Sequence, residues 1–269
     1  MAISSTFSAT DGDAYELQMG RWSRRLAEPF LDFVGAAYGQ RTLDLGCGTG
    51  SLTFALARRA NVNAICGLDY STAYVDYAKR RNSNSRINFL TGDACAIPFA
   101  EGAFDQVLSL LVLHFVPEAE RAVVEMRRVA GPGAVVAAAV WDARGGFVAN
   151  RIFWDTAALL DLKADELRAR NYTRPMCRPG ELASAWRTAG LKNVCQTTLT
   201  IRMDFESFDD FWAPYLSRQG PSADYVASLD AARKTTLRDQ VRKAYLVGDL
   251  DGARSYTASA WAVRGIVSG

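Results

Sequence analysis

A short glycine-rich segment, residues 41–51 (RTLDLGCGTGS), has the composition and spacing of a cofactor site. Leu43 and Leu45 alternate with polar residues, which predicts a buried strand that ends at a turn. The glycines after it are Gly46, Gly48 and Gly50. Glycine adopts backbone angles closed to other residues, and a helix over residues 51–60 would offer free N–H groups to a ligand. The segment predicts a site for a nucleotide-type cofactor.

The spacing of these glycines does not fit the usual NAD fingerprint. In that fingerprint the third glycine stands three residues after the second, and here that position is Ser51. An NAD-linked oxidoreductase is therefore a less favoured alternative.

Three further segments follow the glycine loop in order. A predicted second strand, residues 63–68, ends in Asp69, about 20 residues after the loop, where a carboxylate can accept hydrogen bonds from both hydroxyls of a ribose. A third predicted strand, residues 87–90, runs into the segment TGDA. The fourth, residues 104–113, is apolar on both faces, as expected of a strand buried on both sides.

The ordered set LDLGCGTG, GLDYS, GDA and FDQVLSLLVLHFV resembles the class I S-adenosyl-L-methionine (SAM)-dependent methyltransferases. Within them it is similar to the small-molecule group that includes ubiquinone-biosynthesis-type enzymes (methyltransferase type 11), over residues 41–140. The resemblance implies an α/β, Rossmann-like fold with a seven-stranded, mostly parallel sheet whose last strand is reversed. It also implies SAM as cofactor, S-adenosyl-L-homocysteine (SAH) as its product and a small-molecule acceptor.

The resemblance assigns cofactor contacts to particular positions. The glycine loop would hold the methionine part, Asp69 the ribose and Asp93 the adenine amino group. An N-terminal helix would close over the cofactor, so that Met19 touches it and Arg21 or Arg24 pairs with its carboxylate. The full predicted set is Met19, Arg24, Asp44, Gly46, Cys47, Gly48, Gly50, Asp69, Tyr70, Gly92, Asp93, Ala94 and Leu110.

Charge and cysteine content narrow the function class further. Thirty-one Lys and Arg against 29 Asp and Glu give a net charge of +2, which provides no general attraction to nucleic acid or an anionic membrane. The five cysteines are scattered and lack metal-type CxxC spacing, which favours reduced thiols and no metal site. The sequence does not begin like a signal peptide, and it has no apolar run long enough for a transmembrane helix. A soluble, cytoplasmic protein is therefore expected.

The 269 residues are predicted to form one domain. The core covers about residues 35–142, 179–205 and 253–269, and an amphipathic helix over 15–34 lies above the cofactor. Residues 1 to about 13 are expected to be a frayed end. Two segments longer than α/β connections need, about 143–178 and 206–252, are predicted to form a helical cap.

Two side chains are candidates for a base that removes a proton from the acceptor. His114 follows the fourth strand, and its ordinary pKa suits proton removal at neutral pH, although a packed structural histidine fits the apolar context equally well. Asp142 leaves the fifth strand at the ligand edge, where it could bind the acceptor or cap the next loop. Cys47 is expected to face away from the ligand, because no basic partner is nearby in sequence.

Aromatic residues in the predicted cap suggest an aromatic or apolar acceptor. Trp141 is delivered to the ligand edge by the fifth strand, while Phe211, Trp212 and Tyr215 recur at helical spacing and could form either the cap core or the acceptor pocket. The sequence thus predicts O-, N- or C-methylation of a small metabolite. A SAM-fold protein that binds without catalysis is the alternative, and the oligomeric state is not predicted.

Overall fold

The computed structural model describes residues 11–35, 40–59, 62–217 and 220–269, and the structural statements below concern those residues. Most of the predicted frayed end, and residue 60 at the end of the predicted loop helix, lie outside them.

Seven strands form one sheet in the order β3-β2-β1-β4-β5-β7-β6. Every neighbouring pair is parallel except those that include β7, which runs antiparallel to both β5 and β6. The predicted Rossmann-like sheet with a reversed last strand is confirmed. The strands are β1 (Arg41–Leu45), β2 (Ala64–Asp69), β3 (Ile87–Thr91), β4 (Phe104–Leu110), β5 (Ala130–Trp141), β6 (Lys192–Phe205) and β7 (Arg254–Ile266).

Helices cover both faces of the sheet and build the cap. Those of the N-terminal and central part are α1 (Gly12–Tyr15), α2 (Arg21–Val34), α3 (Ser51–Arg59), α4 (Thr72–Arg81) and α5 (Ala119–Val129). The remainder are α6 (Val148–Leu160), α7 (Leu162–Tyr172), α8 (Glu181–Thr188), α9 (Phe208–Trp212), α10 (Gly220–Ala227) and α11 (Ala231–Leu246). A π-helical turn, Glu16–Gly20, joins α1 to α2, and 3-10 turns occupy Leu113–Phe115 and Ala213–Leu216.

Each face of the sheet has its own apolar core. On one face, Leu26 and Phe30 of α2 are fully buried together with the cap aromatics. On the other face, Met126 of α5 packs in the same cluster as Trp186 of α8, whose Nε1 donates to the carbonyl of Val136 at 2.9 Å. The apolar stripes of the helices thus fix how they lie on the sheet.

The cap is held by an aromatic cluster centred on Phe153 of α6. This ring is fully buried and stacks on Tyr215, with 4.2 Å between ring centroids. It also contacts Trp154, Trp212 and Tyr225, so α6, α9, α10 and the turn after α9 share one core. Close-packed aromatic contacts of this kind contribute beyond the area they bury.

Truncation of this ring should destabilise the folded protein. Phe153→Ala is expected to lower the free energy of unfolding in urea by about 3–5 kcal/mol, because it leaves a cavity in a closed core. Leu159→Ala on the same helix is the matched control, since Leu159 is 87% exposed and should change stability by about 0.5 kcal/mol or less. Equal effects of the two variants would contradict the placement of Phe153 at the cap centre.

Candidate functional site

One large cavity lies at the carboxyl edge of the parallel strands, where ligands bind in open α/β sheets. Together with its open mouth, the cavity spans about 1350 Å³. The loop end of the cavity is formed by Tyr15, Gln18, Met19, Gly46, Gly48, Asp69, Tyr70, Tyr74, Gly92, Ala94 and Leu110. The cap end is formed by His114, Phe115, Trp141, Phe147, Asn150, Trp154, Asn171, Arg174 and Ser222.

Glycine is required at two positions of the loop for different reasons. Gly46 has φ +73°, and a Cβ there would lie 2.2 Å from the side chain of Val112. Gly48 has φ +53°, and nothing lies within 4 Å of where its Cβ would be. Because Gly48 lines the cavity, this space is a cradle in which a ligand can lie against the main chain.

The carboxylate of Asp69 holds the loop in this shape. Its Oδ2 accepts from the backbone N–H of Gly48 and its Oδ1 from that of Ser71, both at 2.8 Å. Burial raises the pKa of Asp69, whereas these two hydrogen bonds lower it. A carboxylate has about four acceptor sites, so two remain for a ligand's hydroxyls.

The N-terminal helix is attached to the loop through Glu16, in the π-helical turn. Glu16 accepts hydrogen bonds from Arg24 and from the hydroxyl of Thr49, and it lies 3.5 Å from Arg81. Arg24 is thereby held in a separate surface cleft and does not line the cavity, whereas Met19 does. Arg21 also lies off the wall and pairs with Asp210 at 2.9 Å.

Several other predicted cofactor residues lie behind the cavity wall. Asp44 is 1% exposed, and its Oδ2 accepts from the hydroxyl of Thr53 at 2.6 Å. Cys47 is buried, which raises the pKa of its thiol well above the ordinary value. Gly50 faces Phe54, and Asp93 accepts from the N–H of Cys95 at 2.8 Å. Asp44, Cys47 and Gly50 thus belong to the packing of the loop, Asp93 caps the turn after β3, and none of the four lines the cavity.

His114 lies on the wall of the cap end, in the turn after β4. It is 5% exposed, its Nδ1 has no partner among the described residues, and its ring centroid lies 4.0 Å from that of Phe115. Burial, and then the charge of Arg174, hold its pKa well below the ordinary value. His114 is therefore a neutral hydrogen-bonding group that faces the cavity.

Asp142 is placed differently from His114. Its Oδ1 accepts from the N–H of Gly145 at 2.8 Å, and its backbone carbonyl accepts from Gly146 at 3.0 Å. The side chain caps the loop after β5, which is the structural option that the sequence left open, and it does not line the cavity.

The predicted aromatic residues divide between the wall and the cap core. Trp141 lines the cavity, and its Nε1 has no partner among the described residues. Phe211, Trp212 and Tyr215 are at most 9% exposed and pack into the aromatic cluster instead. Phe147 and Trp154, before and within α6, supply the aromatic wall in their place.

The polar groups of the cap end were not predicted from the sequence, and neither were Tyr15, Gln18 and Tyr74 at the loop end. Asn150, Asn171, Arg174 and Ser222 come from three cap helices and a loop, so no local spacing connects them. Tyr74 of α4 also lines the cavity, with a buried hydroxyl that has no partner among the described residues. Of these residues, only Tyr74 has a signal in the sequence: the helical periodicity of α4 indicates that it is buried, but not that it lines a cavity.

The family model described as a methyltransferase domain matches residues 43–138. This segment is therefore similar in sequence to methyltransferase domains. The match covers β1 to β5 together with the loop that forms the cavity's loop end, and it stops before the cap begins.

One curated protein to which this chain is similar is the demethylmenaquinone methyltransferase of Renibacterium salmoninarum, which is 40% identical over 117 residues. This match covers 44% of the present chain and 47% of the relative. The chain spans about half the length of the first curated relatives that it matches.

Solved structures share the fold over nearly the whole chain. The Haemonchus contortus phosphoethanolamine N-methyltransferase 2, solved with SAM, has a TM-score of 0.60 at 16% identity and covers 96% of this chain and 57% of its own. The [4+2]-cyclase SpnF has a TM-score of 0.53 at 21% identity and covers 100% of this chain and 89% of its own. At such identities these similarities establish the fold alone.

No group of three or more His, Cys, Asp or Glu side chains in the described part of the chain is arranged to hold a metal ion. None of the helices there combines the length and the apolar character needed to cross a membrane.

The buried carboxyl behind the loop gives a pH-dependent prediction. Burial raises the pKa of Asp44 to about 7, against about 3.9 in an unfolded chain. Between these values the folded state holds a proton that the unfolded state has lost, so stability falls as pH rises, by up to about 1.4 kcal/mol per pH unit. The stability of Asp44→Asn relative to the parent should therefore increase by about 2 kcal/mol from pH 5 to pH 8 in urea titrations.

The control for this comparison is Asp76→Asn on α4, because Asp76 is an exposed aspartate. Its stability relative to the parent should stay nearly constant over the same pH range. An Asp44→Asn variant with the same flat profile would show that the Asp44 carboxyl is not desolvated.

Proposed function

We propose that this protein is a SAM-dependent methyltransferase that acts on a small aromatic, quinone-like acceptor. The observation that supports this most directly is the single cavity, in which the glycine loop and Asp69 form one end and an aromatic, polar cap the other. When bound, SAM supplies an activated methyl group and a neutral leaving group, so the protein's task is mainly alignment and exclusion of water.

The residues of the loop end fit SAM. Gly48 leaves an open cradle at φ +53°, and Asp69 keeps two acceptor sites for ribose hydroxyls. The unpartnered hydroxyl of Tyr74 adds a donor, while Met19 and Leu110 offer apolar contact. Gly92 and Ala94 give a small-residue wall on which the adenine lies in this proposal, with Tyr70 beside it at the rim.

The cap end fits an aromatic ring system. Trp141, Phe147 and Trp154 give flat apolar surfaces, and Trp141 and Phe147 already pack with 5.0 Å between their centroids. Phe211, Trp212 and Tyr215 act in this proposal as supports of that wall and not as contacts. The relative from Renibacterium salmoninarum is named for methylation of a menaquinone precursor, which supports a quinone-type ring as the acceptor.

His114 is the group that this proposal places against the acceptor's nucleophile. Because its ring stays neutral, the unpartnered Nδ1 can accept a hydrogen bond from an acceptor hydroxyl and orient the oxygen. Asp142 acts here only through the loop that it caps. The free thiols of the five cysteines support a reducing, cytoplasmic setting.

A second candidate function is catalysis in the same cavity without methyl transfer. It is favoured by the similarity to SpnF, which extends over the whole chain, cap included, and whose name describes a cyclisation. A shared fold does not determine the reaction, so the two candidates have to be separated by their products.

Cofactor binding is tested by a matched pair of glycine variants. Gly48→Val should weaken SAH binding in calorimetry by tenfold or more, because the added side chain fills the cradle. Gly133→Val is the control, since Gly133 also has a positive φ and open space at its Cβ but lies outside the cavity. Equal SAH affinity of the two variants would contradict the loop end as the cofactor site, and so would tight binding of NAD.

Methyl transfer is tested by incubating the protein with SAM and a panel of dihydroxynaphthalenes and dihydroxybenzenes. Mass spectrometry should detect SAH and a singly methylated acceptor in equal amounts, and Gly48→Val should form neither. His114→Ala should lower kcat with SAM affinity unchanged, since the histidine faces the acceptor. An acceptor that is altered without formation of SAH would favour the second candidate.

A further inference from the structure

The cap end of the cavity contains a cation that no described residue neutralises. The guanidinium of Arg174 makes no hydrogen bond or ion pair with the described part of the chain, and its Cζ lies 4.6 Å from the ring centroid of Phe115. Burial lowers its pKa to about 10. A desolvated and unpaired charge is costly, so the site is incomplete without an anion.

The surroundings of Arg174 provide no substitute for that anion. Asp69 is the one carboxylate among the described residues that line the cavity, and it lies at the loop end with both oxygens already accepting backbone N–H groups. The titratable groups that interact with Arg174 are His114, which is neutral, and Cys177, whose thiol stays protonated because burial raises its pKa to about 12. The other groups at that end are the amides of Asn150 and Asn171 and the hydroxyl of Ser222.

Arg174 is also held in place by its own loop, between α7 and α8. Met176 is 1% exposed and adopts φ +63°, and Cys177 beside it is buried. On the other side, Asp155 of α6 accepts from Arg168 at 3.1 Å and from the hydroxyl of Tyr172 at 3.2 Å, which fixes the last turns of α7. A buried anchor after Arg174 and an ion-paired helix before it fix the backbone from which the guanidinium reaches the cavity and the ring of Phe115.

We propose that the acceptor carries an oxyanion, a carboxylate or a phosphate, which the fork of the Arg174 guanidinium binds while its aromatic ring lies between Trp141, Phe147 and Trp154. Guanidinium binds both groups through two parallel hydrogen bonds. Asn171 and Asn150 provide further donors at the same end. This inference rests on the proposed function and narrows its substrate class from aromatic molecules in general to aromatic acids.

The test uses three probes of one shape and the SAH-loaded protein. Binding of 2-naphthoate, 2-naphthyl phosphate and the neutral 2-naphthamide is measured by calorimetry at saturating SAH. At least one of the two anions should bind tenfold or more tighter than the amide, and whichever does so identifies the acidic group. Two anions that bind no tighter than the amide would overturn the proposal.

Variants then connect any preference to one side chain. Arg174→Met should remove the preference for the anion, and Arg170→Met, an equal charge change at an exposed residue of α7, should retain it. If Arg174→Met instead lost affinity for SAH, Arg174 would belong to the cofactor's carboxylate and the proposal would be wrong. If the parent protein bound no SAH, the proposed function itself would be refuted. If it bound SAH but bound the three probes equally, only the proposal about Arg174 would be refuted.

Discussion

The pair of hydrogen bonds that Asp69 accepts from Gly48 and Ser71 is the interaction on which the site depends. These bonds join the end of β2 to the loop after β1. The ends of two neighbouring strands thereby form one edge of the cavity. The loop could not take this shape with a side chain at Gly46, because a Cβ there would lie 2.2 Å from the side chain of Val112. The carboxylate of Asp69 that shapes the loop also lines the cavity, and it keeps acceptor sites that a ligand could use.

Three of the residues that line the cavity have a buried polar atom without a partner among the described residues. Tyr74, His114 and Trp141 each present a buried atom that nothing in the described residues satisfies, although buried polar groups in proteins are nearly always paired. In the aromatic cluster, by contrast, the hydroxyl of Tyr225 donates to Asp161 at 3.0 Å. The unpartnered atoms of Tyr74, His114 and Trp141 thus belong to the cavity wall, where a ligand could bind them.

Local chemistry determined what could be predicted from the sequence. The glycine loop, Asp69 and the order of β1 to β5 follow from spacings within short segments, and the predicted sheet is confirmed. The helical repeat of Phe211, Trp212 and Tyr215 shows that these rings share a face but not what the face contacts. Arg174 has no sequence signature, because its lack of an ion-pair partner depends on the positions of residues that are far from it in the sequence.

The position of the cap in the chain explains why the sequence match stops where it does. The matched residues end at 138, and the cap segments follow β5 and β6, outside the five-strand unit that forms the loop end. The glycine-loop end of the cavity thus lies within the matched unit, whereas most of the aromatic and polar end lies outside it. The two ends of one cavity are therefore encoded by separate stretches of the chain, so the sequence of the cap can change without any change in the loop.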